Sequence, residues 1–355
     1  MRTSIVSLGM LLAAAALVLT PATVFSAETA APTAPSAAET TAPAGAPPGA
    51  PPAAQTPAPA TPAIVNAPTD PNLTTNPEKF LATAWDLSHK GREIDLSKYR
   101  QTFNDDFKAM NVVKDSEAPG PGAVWFAPGH GAFITNSPLR KNGPFALVDE
   151  GLRLRVEKTG EKRWKGACMT SVNTKGQGFA QKYGYFEMTA EYRYEGNGNG
   201  IWGAFWLKSQ CDYFNGGQTT RTEIDLNEFY GDDWYHATVH LWPAARPLPG
   251  ATITKHIFAS GLKGKIGRNA FKDLKVGGTV KGFHRYGGEI TPEWVIMYFD
   301  GKELGRFPTA EEFKTPLYIL ASLIINKPLD QVKLPMDLVI RNISAYQPVE
   351  PYKEK

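Results

Sequence analysis

Residues 185–194 read Tyr185-Phe186-Glu187-Met188-Thr189-Ala190-Glu191-Tyr192-Arg193-Tyr194. In an extended chain successive side chains point to opposite faces. Tyr185, Glu187, Thr189, Glu191 and Arg193 then share one face, and Phe186, Met188, Ala190, Tyr192 and Tyr194 share the other. This period-two alternation marks a half-buried strand. It recurs on both sides in the sequence. Leu152, Leu154 and Val156 interleave with Arg153, Arg155 and Glu157; Trp294, Ile296 and Tyr298 interleave with Val295, Met297 and Phe299, before Asp300-Gly301 supplies a hairpin turn. Helical periodicity is confined to short candidates near Pro77–Trp85 and Thr309–Phe313. So many strands predict an all-β fold, a β-sandwich jelly roll of two large packed antiparallel sheets.

The flanks of this region read differently. Arg2 and the apolar run Ile5–Leu19 are expected to form an export signal over residues 1–27, with small residues near the cut site. Residues 28–75 collapse to Ala, Pro and Thr, a composition that cannot build a core and predicts an extended, solvated linker. The folded domain is expected over 76–355. No other stretch reaches the length of a membrane span. Among 355 residues there are 38 basic and 35 acidic, a formal net charge of +3, which argues against nucleic acid or an anionic membrane as partner. A monomer in the periplasm or outside the cell is expected. In that compartment Cys168 and Cys211 could close one disulfide worth about 3–4 kcal/mol, or remain two thiols; both readings stay open.

The chemistry is concentrated in Arg221-Thr222-Glu223-Ile224-Asp225-Leu226-Asn227-Glu228-Phe229-Tyr230-Gly231. On a strand Glu223 and Asp225 share a face, but Glu228 would point away. One extra residue at Leu226-Asn227, a β-bulge, shifts the phase and returns Glu228 to the same side. Three carboxylates so placed cannot all ionise freely, and at least one pKa must rise. Glycoside hydrolysis needs that inequality: one acid ionised to attack, another protonated to donate. An acidic solvent face and a row of ligands for a hard cation are the alternatives.

The segment Glu223-Ile224-Asp225-Leu226-Asn227-Glu228 resembles the Glu-x-Asp-x-x-Glu signature of glycoside hydrolase family 16, in its laminarinase-like, bulged branch. Tyr183-Gly184-Tyr185-Phe186-Glu187, Gly200-Ile201-Trp202-Gly203-Ala204-Phe205-Trp206-Leu207, Thr238-Val239-His240, Phe283-His284 with Tyr286, and Phe299-Asp300-Gly301 resemble further blocks of that family in the same order. The resemblance covers most of residues 97–347. It implies a concanavalin A-like sandwich and an endo-acting, retaining hydrolase of β-1,3- or mixed β-1,3-1,4-glucan. Glu223 would be the nucleophile, Glu228 the general acid/base and Asp225 an assisting carboxylate hydrogen-bonded to Glu223. Trp202 and Trp206 would lie near the polysaccharide, with core packing as their alternative. His240 would be a donor behind the carboxylates. Trp125, Asn197 and Asn199 are further candidates for the cleft lining, against ordinary loop roles. Catalysis would need no cofactor. A structural calcium is common in the family, and Asp337 resembles one of its ligands; a surface aspartate at a strand start is the simpler alternative. The chain departs from the family at Gly203, where Pro is common, and over Thr219–Thr222; both changes are expected beside the donor side of the cleft. Rival activities are a transglycosylase, a hydrolase of exopolysaccharide or of a galactan such as agar, and a non-catalytic lectin-like module.

Overall fold

The structure, a computed structural model, describes residues 77–128, 143–195, 198–214, 217, 219–231, 234–259, 262–265 and 282–353. The expected leader and linker lie outside the described residues, as does Asn197. Among the described residues eighteen strands, numbered along the chain, form two nine-stranded sheets. The back sheet runs β16 (Lys302–Pro308), β15 (Trp294–Phe299), β14 (His284–Ile290), β8 (Gly184–Arg193), β18 (Met336–Pro348), β5 (Gly151–Gly160) and β4 (Phe145–Val148). In it β1 (Tyr99–Asp105) also pairs β18, and β6 (Arg163–Lys165) pairs β5. The front sheet runs β12 (Ile257–Phe258), β11 (Trp234–Trp242), β10 (Arg221–Phe229), β9 (Ile201–Ser209), β17 (Leu317–Ile325), β7 (Ala167–Thr170), β3 (Trp125–Ala127) and β2 (Val112–Lys114), with β13 (Leu262–Lys265) on β11. Pairing is antiparallel except between β2 and β3 at the front sheet's edge.

The core lies between the sheets. Phe186, Met188 and Tyr192 from the back meet Phe205, Leu207, Ile224, Leu226 and Val239 from the front in one buried cluster. Each such side chain contributes about 1.5–3 kcal/mol by leaving water, so the alternation read from β8 decides which face turns inward. The first half of the other face of β8, Tyr185 and Glu187, is buried as well. Ile94, Leu96 and Tyr99 cross it and pack with Tyr185 and Tyr298. Alternation alone could not show this, because the covering segment comes from far away in the chain.

Both short helical expectations are met, by a helix over Pro77–Ala82 and a 3-10 turn over Glu311–Phe313. Phe80 of the helix is buried against Phe307. No helix of the described residues is long and apolar enough to cross a membrane. Cys168, on β7, and Cys211, in a short helix after β9, are both free thiols. Trp125 is not a cleft residue. It is fully buried, its indole N–H donates to Asp105 Oδ2 at 2.9 Å, and its ring meets Phe103 edge-on, so it closes the end of the core.

Candidate active site

The register of β10 shows the bulge directly. Asp225 stands opposite Trp206 of β9 and Thr238 of β11; Glu228 stands opposite Ala204 and His236. Three steps on β10 therefore match two steps on both neighbours, and the even period carries Glu228 back to the face of Asp225 and Glu223. The surplus residue is absorbed on the core side. Leu226 is buried with its methyls over Gly288 of β14, and Asn227 accepts a hydrogen bond from Tyr192 OH at 3.0 Å. Gly203 explains itself here. A Cβ at that position would collide with the Tyr192 ring, so the glycine lets Tyr192 reach the bulge. This departure from the family pattern thus sits in the core beneath the acids, not beside the cleft. Thr222 is also turned inward, accepting from the Ser209 amide at 3.0 Å.

Few groups compensate the three acids. Glu223 accepts from Trp242 Nε1 at 3.2 Å. Asp225 meets His240 Nε2 at 2.8 Å, and that hydrogen bond replaces the expected one between Asp225 and Glu223. Glu228 accepts from Trp202 Nε1 at 3.0 Å and Tyr230 OH at 2.6 Å, both on Oε1. Burial first, and then the charge of Asp225, push the Glu223 carboxyl up to about 7, while His240 and Lys208 pull it down. Asp225, only 4 % exposed, is held well above the usual carboxylate range by burial and by Glu228. Burial pulls His240 below the usual imidazole value. Glu223, Asp225 and His240 each bring one polar atom within 4.8 Å of the others. The 2.8 Å contact is that of hydrogen-bonded partners, which engages the imidazole nitrogen and one carboxylate oxygen.

The remaining candidates divide. Trp202 and Trp206 both lie on the acid face of β9. Trp206 packs beside Tyr318 and Leu320 with its indole N–H unpartnered, whereas Trp202 is spent on Glu228. Asn199 stands apart from the acids, donating to the Gln331 carbonyl at 3.1 Å and accepting from Lys327. Asp337 is engaged by a cation of the chain itself. Arg155 grips it through two N–H···O bonds of 2.7 Å, and the paired strands β5 and β18 place the two residues opposite one another. Sequence reasoning missed Trp242, Tyr230 and His256. The first two carried a signal, each lying two positions beyond a site residue. His256 carried none, since its Nε2 meets His240 Nδ1 at 2.9 Å across a sequence gap of 16.

The family model described as glycosyl hydrolases family 16 matches residues 141–327, more than half of the chain. An endo-1,3-1,4-beta-glycanase, EglC, of Rhizobium meliloti is 28 % identical over 291 residues, which are 75 % of this chain and 56 % of that protein. A second from the same organism, ExsH, is 27 % identical and is matched over 53 % of its length against 71 % of this chain. The chain spans about half the length of these curated relatives. Among solved structures, the catalytic domain of an endo-1,3-beta-glucanase from Thermotoga petrophila superposes with a TM-score of 0.52 at 18 % identity, over 73 % of this chain and all of that one. That likeness establishes the two-sheet jelly roll, and the family match gives the conclusion: this chain belongs to glycosyl hydrolases family 16.

Proposed function

We propose that the protein is an exported, endo-acting hydrolase of β-1,3- or mixed β-1,3-1,4-glucan that works with retention of configuration. The observation that carries the reading is the bulge in β10, which turns Glu223, Asp225 and Glu228 to one face. The endo-1,3-1,4-beta-glycanase activity of the Rhizobium relatives supports the substrate class, and the apolar run Ile5–Leu19 supports export.

The chemistry follows from unequal acids. Asp225 is the most deeply buried and keeps a proton most readily. Burial is the main force that raises Glu223; with Asp225 neutral the smaller repulsive part is relieved, and Glu223 ionises near neutral pH. The Glu223 carboxylate attacks the anomeric carbon while Glu228 gives its proton to the departing glycosidic oxygen. Both donors to Glu228 sit on Oε1, so Oε2 is the oxygen that carries this proton. In the second half Glu228 takes a proton from water, whose oxygen displaces Glu223 from the sugar. No cofactor enters these steps, and the chain is expected to act as a monomer.

The test is digestion of laminarin, lichenan and agarose, with proton NMR following the anomer released first. Retention gives the β-anomer before mutarotation. An α-anomer first, or a Glu223→Gln variant as active as wild type, overturns the assignment. Lengthened products on adding an oligosaccharide acceptor would identify a transglycosylase instead, and binding without new chain ends a lectin.

A further inference from the structure

The partners of Glu223 and Asp225 converge on a side chain that the proposed chemistry does not use. His240, which bonds Asp225, and Trp242, which bonds Glu223, stand two apart on β11. His256, immediately before β12, engages both. Its Nε2 lies 2.9 Å from His240 Nδ1, and its ring lies parallel to the Trp242 indole, with centroids 3.5 Å apart and planes 4° apart. Phe258 lies beside the same ring, with centroids 5.4 Å apart.

Two consequences follow. Ring-on-ring contact limits the tilt of Trp242 and so aims its N–H at Glu223. In a hydrogen-bonded pair of neutral imidazoles one nitrogen must donate and the other accept. The proton position on His256 is therefore coupled to the one on His240, and through it to whether His240 Nε2 gives or accepts a hydrogen bond at Asp225. One residue steadies the partners of two carboxylates.

We infer that His256 is a positioning residue of the glycosidase site, clamping His240 and Trp242 so that Glu223 and Asp225 keep their relative orientation. The inference rests on the retaining-hydrolase reading of the acids and deepens it. The bland alternative is that His256 merely anchors residues 243–256 to the sheet edge.

Two variants dissect the clamp. His256→Phe keeps an aromatic face and removes the hydrogen-bond partner. His256→Gln keeps an amide that can bond His240 Nδ1 and loses the flat stack. On whichever glucan the wild type cleaves, kcat should fall about ten-fold in His256→Phe with KM held within about two-fold, since misorientation acts on the reacting geometry rather than on binding. His256→Gln should recover part of kcat, and it serves alone if the Phe variant does not fold. The independent readout is nitrogen-15 NMR of the His240 ring, whose tautomer pattern should change in His256→Phe and return towards wild type in His256→Gln. Wild-type kcat and an unchanged His240 pattern in the variants, with only the melting temperature lowered, would overturn the clamp. If the wild type cleaves no β-glycan, the hydrolase reading has failed, and the ring-nitrogen pattern alone decides the clamp.

Discussion

The two sheets bury acids in opposite ways. On the back sheet Glu289 accepts from three tyrosines, Tyr99 at 2.6 Å, Tyr352 at 2.7 Å and Tyr298 at 3.0 Å. Glu303 is held by Arg306 through two bonds of 2.7 Å. Glu187 takes Tyr185 OH at 2.6 Å and has Arg285 nearby. On the front sheet Glu223, Asp225 and Glu228 crowd together, and among the described residues none has a lysine or arginine within ion-pair distance. Buried charge is stable only when paired and hydrogen-bonded. Glu303 and Glu187 have arginines and Glu289 has three hydroxyl donors, and these acids brace the fold. The front-sheet row has one to two donors per acid and a histidine but, among the described residues, no arginine or lysine, and its unmet electrostatic demand is what can drive proton transfer. An acid count would rank the two sheets alike; their compensation separates them.

That contrast can be broken by exchange of roles. Glu223→Gln or Glu228→Gln should lower kcat by about a thousand-fold or more, read as reducing ends released, because each removes a group that reacts. Glu289→Gln should leave kcat within about three-fold while costing roughly 3 kcal/mol in denaturant unfolding, because a neutral amide cannot satisfy three hydroxyl donors. If Glu289→Gln abolished activity and left stability intact, the division between bracing and reacting acids would be wrong.

The pH dependence sharpens it. Glu223 is raised to about 7 in the folded protein, so the folded state favours its neutral form. Stability from this group is complete below the unfolded glutamate value and is lost as pH rises towards the folded one. Glu223→Gln should therefore stabilise the protein at pH 8, by up to about 3 kcal/mol, and change little at pH 4. Activity moves the other way. Attack requires ionised Glu223, so the acidic limb of kcat/KM should lie near 7. A limb at the ordinary glutamate value would show that the row is better compensated than its contacts suggest.

The smallest expected effect concerns the bulge. Tyr192→Phe leaves Asn227 buried without its donor, which should cost about 1–2 kcal/mol and lower kcat several-fold as Glu228 loses its fixed heading. Gly203→Ala, which pushes on the same ring, should cost about 1–3 kcal/mol by overpacking. Unchanged kcat in both would mean that the bulge holds itself without Tyr192.

Much of this was legible in the chain. Alternation over Tyr185–Tyr194 and its repeats is dictated by the strand's period of two and needs only local residues, so the sandwich and its inward faces could be read. The acid spacing required a bulge if the three carboxylates were to act together, and the register contains one. What the sequence could not decide are pairings between distant segments. Trp125 is a cleft candidate in the sequence and Asp337 resembles a calcium ligand of the family; Asp105 and Arg155, remote in sequence, engage them. Gly203 looked like a change in the cleft until Tyr192 was found lying over it. His256 had no local mark at all. Covalent order fixes the faces a strand presents, whereas which groups then meet is settled by packing two sheets and their covering segments against one another.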